Sequence, residues 1–294
     1  MGISLFFYYL CKLIHASAAK IKYAHCYKTA SYSTVTMRTR LFIALIALLP
    51  SLCLAQSDDF GTKLSAEVRK VFNKKTNIDF SAEMRTRDRM KATDRWAGHL
   101  EGHYKVWPWM KASVGYSLLC DHEKHVSRYD EDDRDVIKGL VEVGDPKNKR
   151  VYWIVRHRVT SSLTFSHKWD RWKFSLRERW QYTYRPEKVV AGRYNYYYQK
   201  SDAAERLVRG KGKNVLRSRL MIEYDIAHSP VTPLMSLETF HAWRLEQVRY
   251  ILGAKWKIDK QNALELSYRY QHVDQDDDYE PHRHIVGLNY QYQF

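Results

Sequence analysis

The 294 residues carry 49 Lys and Arg against 33 Asp and Glu, a formal net charge of +16, together with 22 Tyr and 9 Trp. No stretch reaches the 18 or more consecutive apolar residues of a membrane-crossing helix, which excludes a helical membrane protein. Basic charge with interleaved aromatics is the footprint of nucleic-acid binding, and the order of residues along the chain decides against it.

Residues 37–55 read MRTRLFIALIALLPSLCLA. Arg38 and Arg40 form a basic start, Leu41 to Leu49 is an unbroken apolar run, and Ala55 is a small residue at a cleavage point before Gln56. This is the pattern of a secretory signal peptide. Residues 1–36 then read as a mis-assigned upstream extension, and 56–294 as the mature domain. Leu52 is too bulky for the residue before a lipidated cysteine, which argues against a lipid anchor at Cys53. Residues 1–55 hold six bases and no acid, so the mature charge is +10, and they hold three of the four cysteines. Cys120 alone cannot form an intramolecular disulfide. An exported chain of this size without disulfides points to the bacterial cell envelope.

From Phe60 onward the dominant period is two. In NIDFSAEMRTR, Ile78, Phe80, Ala82 and Met84 alternate with Asp79, Ser81, Glu83 and Arg85. MKASVGYSL and NALELSYRYQ repeat the pattern, and no segment shows a capped 3.6-residue period. Such alternation predicts strands, placed at 60–72, 77–87, 95–106, 110–120, 150–166, 171–185, 213–226, 234–244, 248–258, 262–272 and 283–294. From Trp107 on, short and long connections alternate, with Arg244–Gln247 read as a modest link among the long ones. Trp96, Tyr104, Trp172, Tyr182, Tyr184, Tyr250, Trp256, Tyr290 and Tyr292 fall at the ends of apolar faces. These are the marks of an all-β fold, a transmembrane antiparallel up-and-down β-barrel in the bacterial outer membrane. Bacterial single-chain barrels use even strand numbers. The eleven strands counted therefore predict a barrel of 10–12, with 60–72 outside the wall or Val136–Val143 supplying a twelfth strand.

FGTKLSAEVRKVFNKKTNIDFSAEMRTRDR (60–89) and RYILGAKWKIDKQNALELSYRYQ (249–271) resemble the DUF2490 family. That resemblance implies an uncharacterised outer-membrane barrel of a kind common in Bacteroidetes-type bacteria. It implies no substrate, cofactor or catalytic residue.

If the apolar faces meet lipid, Arg85, Lys105, Arg156, Arg158, Arg177, Arg179, Arg217, Arg219 and Arg269 face the lumen, because Arg or Lys toward lipid costs about 2–4 kcal/mol at the midplane. Fewer acids share that face, among them Asp79, Glu83 and Glu101. Two uses follow. Arg–Glu networks can plug a small barrel, or a basic lining can select anions such as acidic small molecules or saccharides. A third reading is an enzyme acting on lipid. His99, Glu101 and His103 share one strand face, with Ser113 on the next strand. Residues i and i+2 on a strand are about 6–7 Å apart, so catalytic partners must come from neighbouring strands. No metal-binding or cofactor signature is present. The acidic stretches Asp121–Asp135 and Asp274–His284 suit calcium bridges to lipopolysaccharide. Tyr290, Tyr292 and the terminal Phe294 resemble the signal read by barrel-assembly machinery. Bases that alternate with apolar residues on exported strands leave no nucleic-acid partner.

Overall fold

A computed structural model describes residues 59–273 and 282–294. The segments predicted as signal peptide and upstream extension, and most of the acidic stretch 274–284, lie outside the described residues. The wall has eleven long strands. They are β1 (Asp59–Val71), β2 (Thr76–Arg87), β3 (Ala92–Trp107), β4 (Met110–Arg128), β5 (Pro146–Trp169), β6 (Trp172–Arg185), β11 (Lys211–Tyr224), β12 (Val231–Ala242), β13 (Arg244–Lys257), β14 (Asn262–Val273) and β15 (Arg283–Gln293). Four three-residue strands lie in the connection between β6 and β11: β7 (Lys188–Val190), β8 (Arg193–Asn195), β9 (Lys200–Asp202) and β10 (Arg206–Val208).

The odd number is accommodated at the seam. Every neighbouring pair in the wall is antiparallel except β1 and β15, which run parallel from Asp59↔Arg283 to Arg69↔Gln293. β1 also pairs antiparallel with β2, so it belongs to the wall rather than beside it. Residues 136–143 supply no twelfth strand. Arg134–Ile137 forms one helical turn, α1, and Gly139 and Gly144 follow at φ 69° and 88°, a conformation that breaks an extended run.

Short turns gather at one end. Asn73 Oδ1 accepts from the backbone N–H of Lys75 and Thr76, each at 2.8 Å, and Asp259 Oδ1 accepts from Gln261 and Asn262 at 2.8 and 2.7 Å. These Asx turns need only the local side chain. The C-terminus is tied in at the same end, with Phe294 N–H donating to Arg69 O at 3.0 Å. Aromatic pairs ring it, including Trp107 with Trp109 at 5.4 Å and Trp172 with Tyr224 at 4.7 Å.

The opposite end departs from the sequence reading at one hairpin. The link predicted at Arg244–Gln247 is strand, and β12 reverses into β13 through Trp243 alone. Trp243 sits at φ 73° and is wholly exposed. A left-handed residue makes so tight a reversal feasible, helped by a register shift at Phe240/His241.

A strand of about 9–11 tilted residues crosses the hydrocarbon. β4 and β5, at 19 and 24 residues, therefore stand well beyond it. β8 pairs with this extension, and β7 and β10 pair with each other as a small second sheet.

Candidate functional site

The two faces of the wall differ in chemistry. Leu64, Phe80, Trp96, Leu100, Val114, Leu163, Leu176, Leu220, Leu252 and Tyr290 are exposed on the outside. The alternate residues are largely shielded and polar, with Ser113, Ser117, Thr160, Ser162, Gln181, Glu238 and Gln271 buried. Contacts that span the interior identify the lumen. Arg179 on β6 donates twice to Glu101 on β3, at 2.6 and 2.8 Å, although β4 and β5 separate those strands. Arg283 on β15 reaches Asp94 on β3 at 3.4 Å. With strands about 4.8 Å apart and tilted by about 40°, such a wall has a backbone radius of roughly 11 Å. Long side chains fill much of that width.

The lumenal bases predicted from alternation fall into several groups. Arg85 and Lys63 share Glu83, at 2.5 and 3.0 Å. Arg156 is paired with Asp121 at 3.3 Å and with Glu123, and Arg95 also bonds Asp121. Arg158 donates to Thr183 Oγ1 at 2.9 Å. Arg217 donates to both oxygens of Glu238, at 2.6 and 2.7 Å. Arg177, Arg219 and Arg249 approach the same carboxylate at 3.8, 3.9 and 3.9 Å. Glu238 is 1 % exposed. Lys105 stands apart, exposed near the short-turn end.

Arg269 is the odd member. Its Nε and Nη1 are buried with no hydrogen-bond partner among the described residues. The Nε atoms of Arg177, Arg179, Arg217, Arg219 and Arg249 are also buried without one. A buried unpaired donor costs about 1–3 kcal/mol, more when charged. So many buried donors leave the lumen with a surplus of under-bonded positive groups.

The polar residues considered for catalysis are brought together differently from a nucleophile triad. Ser113 Oγ donates to Glu101 Oε1 at 2.5 Å and lies 2.6 Å from Ser162 Oγ. His103 Nε2 is 3.0 Å from Asp79 Oδ2, and its Nδ1 is 3.9 Å from Glu101 Oε1. The ring therefore addresses carboxylates on both sides and no hydroxyl. His99 Nδ1 is 2.8 Å from Ser117 Oγ, the hydroxyl opposite it in register, not from Ser113. Glu101 is clamped by Arg179 and also accepts from Ser113. Among the described residues no group of three His, Cys, Asp or Glu side chains is placed to hold a metal ion.

A second feature lay beyond the sequence reading. Ile154, Val190 and Val208 are buried against one another with Tyr152 beside them. Ile154 lies on the lumenal side of β5, so β7 and β10 pack against the inner face of the β5 extension and cap that face. Arg150 Nη1 fastens the cap through Gly192 O at 3.0 Å and Ala204 O at 2.6 Å. Charge also reaches the outside. Glu178 shares the outward face of β6 with Leu176 and Trp180 and accepts from Ser218 Oγ at 2.6 Å.

The family model described as "Protein of unknown function (DUF2490)" matches residues 60–281. The chain belongs to the DUF2490 family. A comparison with curated proteins finds no match for this DUF2490 chain. Among solved structures, the beta domain of the Bordetella autotransporter Brka is similar at 12% identity and a TM-score of 0.46, covering 76% of this chain and 86% of that one. A ferric enterobactin receptor (PfeA) mutant from Pseudomonas aeruginosa is similar at 8% identity and a TM-score of 0.28, covering 68% of this chain and 35% of that one. The DUF2490 barrel is thus assigned by its own wall, seam and lumen.

Proposed function

We propose that this protein is a narrow, anion-selective channel of the bacterial outer membrane, exported by the signal peptide at Met37–Ala55. The observation that carries the reading is the imbalance inside the barrel. Arg177, Arg217, Arg219 and Arg249 crowd one carboxylate, Glu238, and Arg269 has two buried nitrogens without partners. A lining of that sign repels cations and lowers the barrier for small anions. The apolar exterior and aromatic ends suit a bilayer, and a closed barrel leaves no unpaired strand edge in lipid. Phe294 at the seam is the residue offered to barrel-assembly machinery, and the extensions of β4 and β5 beyond the hydrocarbon are the part that meets lipopolysaccharide.

The cap over Ile154 supports a second reading, a plugged structural barrel. Planar-bilayer recording separates the two. The channel reading expects small chloride-carrying steps and a reversal potential that follows the anion gradient. Silence at every potential favours the plugged barrel, and cation selectivity refutes the anion channel.

A further inference from the structure

The lumenal arginines are unequally matched. Glu83 is engaged by Lys63 and Arg85, and Glu238 takes both of its short bonds from Arg217. Arg249 has only a 3.9 Å approach to Glu238. Arg269 lies on the lumenal face of β14, where it feels the charges of Arg85, Arg217, Glu238 and Glu83, both carboxylates being already engaged. Arg249, beside Glu238 and over Phe240, feels those of Arg269, Arg217 and Arg85. Four guanidinium groups from β2, β11, β13 and β14 thus share one neighbourhood with two occupied carboxylates.

Their arrangement is fixed before any ligand arrives. Phe240 lies in the lumen, and the guanidinium carbons of Arg217 and Arg249 sit over its ring at 5.0 and 4.2 Å. Ring faces attract cations, so Phe240 holds two of the four forks in place. Arg269 emerges from β14 opposite Ile251 and Ile285, which offer it no polar partner. Its buried Nε and Nη1 lie on different edges of the planar guanidinium, so it presents donors in two directions to the oxygens of an anion.

We infer that Arg85, Arg217, Arg249 and Arg269 form a binding site for a phosphate-class dianion within the lumen. The inference rests on the anion-channel reading and deepens it by naming the favoured solute. A dianion offsets the surplus charge better than a monocarboxylate or chloride does, and its oxygens satisfy several forks at once. The site is therefore a selective stop along the pore, where phosphate dwells while chloride passes.

The test uses the full mature barrel in planar bilayers at pH 7.5, carrying chloride, with inorganic phosphate added to one side. Phosphate is expected to block the chloride current at concentrations at least tenfold below those at which acetate does. Sulfate should resemble phosphate, because charge and oxygen geometry rather than identity are read. Arg269→Gln should raise the half-blocking phosphate concentration at least tenfold, with the fast-migrating unboiled band showing that it has folded. If that variant does not fold, the ranking of phosphate, sulfate and acetate on the wild-type barrel decides. A chloride current indifferent to phosphate, or blocked equally by acetate, overturns the site and leaves the channel standing. Absence of any chloride current overturns the channel reading. The site is then judged by equilibrium dialysis of radiolabelled phosphate against the detergent-solubilised barrel, where no saturable binding overturns it.

Discussion

Glu238→Gln should be among the most damaging single-atom changes available in this wall. The carboxylate is 1 % exposed, takes two short bonds from Arg217 and has Arg177, Arg219 and Arg249 within 4 Å. Gln preserves shape and one acceptor oxygen, so no cavity opens. What disappears is the charge that lies within 4 Å of four guanidinium groups. Breaking a buried pair by removing one partner costs about 3–5 kcal/mol. Two unit charges 4 Å apart interact by about 4 kcal/mol at an effective dielectric constant of 20, so the attraction lost from one such approach has the same size. We expect a loss of about 4 kcal/mol. Glu238→Leu combined with Arg217→Met should cost less than Glu238→Gln alone, because one of the four guanidinium groups leaves together with the carboxylate. The assay is urea unfolding in lipid vesicles followed by fluorescence of the tryptophans. A loss under about 1 kcal/mol for Glu238→Gln, or a double variant worse than the single one, would refute the electrostatic account of the lumen.

Other perturbations probe the remaining surfaces. Leu252→Arg places a charge on the exposed outer face and should cost about 2–4 kcal/mol in vesicles, against little change in detergent-free solubility of the unfolded chain. Paired Val190→Asp and Val208→Asp changes put charges into the cap over Ile154 and should raise single-channel conductance; unchanged steps would show that the cap does not limit flow. Deletion of Phe294 removes its bond to Arg69 O, its contact with Lys70 Nζ at 4.3 Å and its stacking on Tyr292 at 6.0 Å. The fraction of fast-migrating barrel in unboiled gels should fall, and normal assembly would count against a role for the C-terminal residue.

Much of the wall was legible in the sequence because lipid outside and water inside force a two-residue alternation. Ile78, Phe80 and Met84 against Asp79, Glu83 and Arg85 reveal a strand and its two faces at once. The extensions of β4 and β5 were not legible, since residues 121–128 and 146–149 stand beyond lipid and lose that constraint. The cap strands are three residues each, too short to carry a period. Closure through β1 and β15 is a property of the whole ring, so the direction of β1 could not be read from Asp59–Val71 itself. Strand alternation correctly turned Glu101 and Ser113 to one face. It could not give Arg179 as the partner of Glu101, 78 positions away and across the lumen.

The central claim is an eleven-stranded barrel closed by a parallel seam around a basic lumen. Paired cysteines test it most directly. Ser65 and Asn289 are aligned in the parallel register, and Ser65 Oγ donates to Asn289 Oδ1 at 2.8 Å. In a mature chain with Cys120 replaced by Ser, Ser65→Cys with Asn289→Cys should cross-link on mild oxidation of the folded barrel in membranes and shift its gel migration. A ten-stranded alternative would set β2 against β15 and displace β1. Cross-linking of Asn289→Cys to Ser81→Cys, with none to Ser65→Cys, would contradict the account.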